Sequence, residues 1–64
     1  MKMTDMEIVL KIEKLIEIQM THKPSSDCWK LASEQLTPLY AEMAIRYPNG
    51  AKLPADVLEV TKRI

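Results

Sequence analysis

Cys28 and His22 are the only cysteine and the only histidine in the chain, and nucleophilic chemistry would have to start from them. A thiol becomes reactive as the thiolate, which a helix N-terminus or a neighbouring imidazole favours. Cys28 opens a helical pattern and His22 lies just before it. However, Cys28 falls on an apolar stripe beside Trp29, and no residue is placed to orient His22. The pair therefore reads as a small buried hydrophobe and a surface loop histidine. A single Cys and a single His are also too few for a structural zinc site.

The acids Glu13, Glu17, Glu34 and Glu42 sit on polar helix faces, without the apolar surroundings that hold a catalytic carboxyl protonated. There is no glycine-rich phosphate loop, no HExxH and no cysteine pair. A chain of this size also has little room for a concave pocket. The expectation is a protein that is not an enzyme and binds no cofactor or metal.

Lys52, Lys62 and Arg63 are the residues that could meet nucleic acid. The second helical pattern, the turn after it and the third helical pattern imitate a helix-turn-helix outline. A recognition helix, though, meets bases with its N-terminal end. In PADVLEVTKRI that end carries Asp56 and no Arg, Lys, Asn or Gln, while the basic pair sits at the far end. Nine acidic and nine basic residues cancel, which removes the electrostatic case for nucleic acid or an anionic membrane.

The elements that must position these side chains are helices. T-D-M-E at Thr4–Glu7 has the form of a capping box. The first helix should run from there to about Met20, free of Gly and Pro. Ile8, Val9, Ile12, Leu15, Ile16 and Met20 form its broad apolar face. Met3, Met6 and Leu10 line up beside that face, and Ile18 falls among charges. Ordinary scattered surface hydrophobes explain them; a second contact surface is the sharper reading, for which flexible methionines are suited.

THKPSSD breaks the pattern at Pro24, and Ser25, Ser26 or Asp27 can cap a second helix. So short a link makes the two helices an antiparallel hairpin. From Asp27 to Tyr47, residues Cys28, Trp29, Ala32, Leu36, Leu39, Tyr40, Met43 and Tyr47 share one stripe, on which the other segments are expected to pack. The stripe keeps its phase across Pro38. This favours one helix kinked at Pro38, the alternative being a break with Thr37 as N-cap. In YPNG, Pro48 suits the second turn position and Gly50 the closing one. A short third helix restarts at Pro54, with Leu53, Val57, Val60 and Ile64 on one face and Lys62 and Arg63 in its last turn. Roughly ten residues make a marginal helix, so it must dock on the hairpin or a partner.

At 47% apolar and 28% charged residues the chain is globular, and no apolar run nears the roughly 20 residues that span a bilayer. Acids within MKMTDMEIVLK argue against a signal peptide, which points to the cytoplasm. Sixty-four residues form a single domain near the lower limit for folding alone, buried over only about 60% of the unfolded surface. With no disulfide available, association is the remaining support. The reading is an all-α hairpin with a short C-terminal third helix. The core is expected at Ile8, Ile12, Leu15, Ile16, Trp29, Ala32, Leu36, Tyr40, Met43, Val57 and Val60. Its expected function is a small regulator or inhibitor that binds a protein partner and also self-associates as a homodimer. Met3, Met6, Leu10, Ile18 and Tyr47 are its candidate contacts. On base rates alone, an accessory protein of a phage or mobile element fits that description. The alternative is a dimeric DNA-binding transcriptional regulator using the C-terminal helix.

Overall fold

The computed structural model describes residues 2–49 and 51–64, and its regular elements are three helices: α1 (Asp5–Thr21), α2 (Asp27–Arg46) and α3 (Ala55–Thr61). α1 starts where its capping box dictates. The Glu7 amide donates to Thr4 Oγ1 at 3.2 Å, and the Thr4 amide donates to Glu7 Oε1 at 3.2 Å. Asp5 and Glu7 add negative charge at the positive end of the helix dipole. At the other end no glycine is available, and His22 closes the helix. Its Nδ1 lies 2.7 Å from the carbonyl oxygen of Ile18, which only accepts, so Nδ1 carries the proton. The Thr21 hydroxyl donates to the carbonyls of Glu17 and Ile18, both at 3.1 Å.

Of the three candidate caps for α2, Ser26 is the one used, accepting from the Trp29 amide at 3.2 Å. α2 then runs unbroken through Pro38, whose side chain is exposed. Thr37 does not act as a new N-cap, because its hydroxyl donates backward to the Ser33 carbonyl at 3.2 Å. A cap would have accepted from an amide ahead of it. The turn after α2 is closed by the Ala51 amide on the Pro48 carbonyl at 2.9 Å, one residue later than YPNG suggests. The expected closing residue, Gly50, lies outside the described residues. α3 is shorter than its pattern: Pro54 is its N-cap, Lys62 its C-cap, and the basic pair lies just past its end.

The hairpin is antiparallel, since Asp5 at the start of α1 meets Arg46 and Tyr47 at the end of α2. Ile8, Ile12 and Leu15 interlock with Ala32, Leu36 and Leu39 to form the main core. A second cluster joins Val9 to Val57 and Val60, with Met6, Met43 and Leu53 around it. The adjacent residues Ile8 and Val9 are 0% and 1% exposed, one under each neighbouring helix. α1 is therefore the central helix. α3 packs on α1 and not on α2, contrary to the expectation that all segments gather on the α2 stripe. The wheel pattern of α2 marks its buried side but cannot say that α1 has two buried sides.

Two side chains assigned to the interior are consequently outside it. Tyr40 is 49% exposed, because α3 lies across α1 and nothing covers that flank of α2. Cys28 is exposed as well, at the first turn of α2, where α1 is ending. Trp29, Ile16 and Met43 are half-buried, while Val9 and Leu39 join the buried set. No helix of the described residues is long and apolar enough to cross a membrane.

Candidate interaction surface

Because α2 and α3 share only α1, a groove runs between them. Val9 and Ile12 of α1 form its floor, Tyr40 and Met43 of α2 one wall, and Thr61 and Ile64 the other. It encloses about 270 Å³, and none of these six side chains carries a charge. Tyr40 and Ile64, at 49% and 45% exposure, stand on its rim. An aromatic ring with a polar tip on an apolar rim is the composition of a protein-contact anchor. Ile64 also borders a second hollow, lined by Ile16 and Met20 together with the charged Glu13, Glu17 and Arg63; Met20 is 80% exposed.

The contact residues expected on α1 are divided by the fold. Met3 and Ile18 pack against the α1–α2 core, and Met6 against the α1–α3 cluster. Leu10 remains exposed. Tyr47 is half-buried, and its hydroxyl donates a hydrogen bond to Asp5 Oδ2. Arg46 binds the same carboxylate, Nη1 to Oδ1 at 2.7 Å, and reaches Glu42 through Nε at 2.8 Å. The bond from Tyr47, then that from Arg46, holds the Asp5 carboxyl below its usual range. The same contact with Asp5 raises the Tyr47 phenol above its usual value, since ionising it would place two anions together. These groups clasp the start of α1 to the end of α2. Periodicity gave no sign of this clasp, whose members are 41 and 42 residues apart.

His22 and Cys28 do border one shallow hollow, with Leu15, Ile18, Leu31, Ala32 and Gln35. Nδ1 of His22 is committed to the Ile18 carbonyl, and the hollow holds no carboxylate to orient the ring. Among the described residues, no group of three His, Cys, Asp or Glu side chains is arranged to hold a metal ion. Of the basic residues, Arg63 Nε lies 3.3 Å from Glu13 Oε2, which ties α3 to α1, while Lys52 and Lys62 are exposed. Asp56 accepts from the Val57 amide at 2.9 Å at the end of α3 where a base-reading side chain would be needed.

No family model, curated protein or solved structure matches this chain.

Proposed function

We propose that this protein is a small, non-catalytic interaction module of the cytoplasm. It acts as a regulator or inhibitor by seating an apolar protein segment in the groove between α2 and α3. The observation that carries the reading is an uncharged hollow between α2 and α3, backed by the buried Val9 and Ile12, whose accessible apolar surface is the rim residues Tyr40 and Ile64. An amphipathic helix is the natural occupant of such a channel, its apolar side chains at i, i+3/i+4 and i+7 pointing down. Leu10 and Met20 extend the available apolar surface around α1. The nucleic-acid alternative gains nothing from this arrangement, because Arg63 is paired with Glu13 and the groove has no cation in its lining.

The test is capture from host lysate on immobilised protein, with and without nuclease, read by quantitative mass spectrometry. Wild type is compared with Tyr40→Glu and Ile64→Glu, both at exposed positions, with circular dichroism checking that each variant keeps its helicity. A protein retained by wild type and lost with both variants is the expected result. Equal retention by all three overturns the groove as the binding face. Partners released by nuclease, together with loss of capture in Lys62→Ala, would move the function to nucleic acid.

A further inference from the structure

We infer that α3 is a lid: it opens as a unit from Tyr47 onward and uncovers the Val9 flank of α1 while the α1–α2 hairpin stays folded. The opening belongs to the fold and stands whether or not the hollow between α2 and α3 is the binding face. The first argument is how the core is divided. Ile8, Ile12 and Leu15 of α1 and Ala32, Leu36 and Leu39 of α2 form a cluster to which α3 contributes no buried side chain. α3 belongs to a smaller cluster, in which its Val57 and Val60 bury Val9, with Met6, Met43 and Leu53 only partly buried around them. The free energy that holds a segment closed follows the apolar surface it buries, so segments with separate and unequal cores open separately. Opening α3 forfeits the smaller cluster and leaves the larger one intact.

The second argument is what else holds α3. It packs on α1 and not on α2. Its N-cap, Pro54, supplies no side-chain bond to the first turn. Arg63 reaches Glu13 at 3.3 Å, but its side chain is 58% exposed, and an ion pair in contact with water adds little. Seven residues are too few to stay helical undocked, so α3 is either seated or unwound. The third argument is where the motion stops. Arg46 and Tyr47 are both bound to Asp5, which fixes the end of α2 to the start of α1. Beyond them Pro48, Asn49, Ala51, Lys52 and Pro54 are exposed, so little packing ties the connection to the hairpin. Seated, α3 covers Val9; open, it presents Val9 with Met6 and Met43 as one apolar strip. α3 is thereby an autoinhibitory contact for binding at this flank, because the buried floor of the hollow is reached only when α3 leaves.

Native-state hydrogen exchange of the full chain, in urea below its unfolding midpoint, tests the inference. The amides of Leu58 and Val60 should exchange at one common rate, at least about tenfold faster than those of Ile12 and Leu36, and with a shallower dependence on urea. This series uses the wild-type chain and depends on no variant. Val57→Ala, which removes two buried carbons from the lid, should speed both α3 amides by about tenfold. Leu15→Val, which weakens the hairpin core, should speed Ile12 and Leu36 and leave Leu58 and Val60 at their wild-type rates. One rate and one slope for all four amides would overturn the lid, because α3 and the hairpin would then unfold only together. Unprotected Leu58 and Val60 amides would overturn it too, since α3 would not be seated at rest. Equal capture by the Tyr40 and Ile64 variants would remove the binding face and leave this exchange pattern untouched.

Discussion

Replacing Pro38 by Ala should make the protein more stable. α2 is helical on both sides of Pro38, and the ring projects into solvent, so removing it leaves no cavity. The ring denies the Glu34 carbonyl its intrahelical donor and crowds it. Restoring the amide is worth about 1 kcal/mol as a hydrogen bond. The full helix-propensity difference between Pro and Ala is about 3 kcal/mol. α2 already accommodates the ring without breaking, so part of the larger figure has been relaxed, and the gain should fall between those bounds. For a domain of 64 residues, total stability is roughly 3–10 kcal/mol, so the change is a large fraction of it. At about 4–8 °C per kcal/mol in a domain this small, Tm should rise by roughly 5–20 °C. Urea unfolding followed by far-ultraviolet circular dichroism reads the effect as a higher midpoint at constant slope. An unchanged or lower midpoint would refute the reasoning, and would mean that Pro38 fixes a course of α2 on which the packing of Leu36 and Leu39 depends.

Val9→Ala removes two buried carbons beneath α3 and should destabilise by about 1.6 kcal/mol from transfer alone, with a cavity penalty added. Because Val9 is the floor on which Val57 and Val60 rest, limited proteolysis should cut the 47–54 connection faster in this variant while the hairpin core persists. The clasp predicts a stability profile with two edges. The folded Asp5 carboxyl is held below the usual 3.8, so its contribution is present above that pH and is lost as pH falls through the depressed value. The folded Tyr47 phenol is held above the usual 10.0, so its contribution is present below that pH and is lost as pH rises through the elevated value. Urea midpoints measured across pH should show both edges, and Asp5→Asn should flatten both.

The features legible in the sequence are those that local chemistry decides. Thr4 and Glu7 announce the start of α1 because their capping bonds span three residues, and the unbroken phase from Leu36 to Met43 carries α2 past Pro38. Tyr40 misleads because a wheel assigns it to the apolar stripe without showing how much of that stripe a neighbour covers. Cys28 misleads for the same reason at a helix end. The groove was not legible, since it exists only because α3 chooses α1 over α2, and that choice is made by Val9 meeting Val57 and Val60. The Asp5–Arg46–Tyr47 clasp was invisible because hydrogen bonding between helix ends leaves no periodic trace. His22 looked like a loop residue and proved to be the C-terminal closure of α1.

The central position of α1 has a consequence for how the protein is made. α1 is synthesised first of the three helices and can form within about a microsecond. One buried side waits for α2, which ends 25 residues later, and the other for α3, which ends 40 residues later; at ~5–20 residues per second these take roughly 1–5 s and roughly 2–8 s. Until α2 is complete Ile8 and Val9 are uncovered together, and Val9 stays uncovered until α3 follows. Truncation before α3 would make half of that exposure permanent, so interrupted synthesis should yield a sticky hairpin that proteases and chaperones recognise.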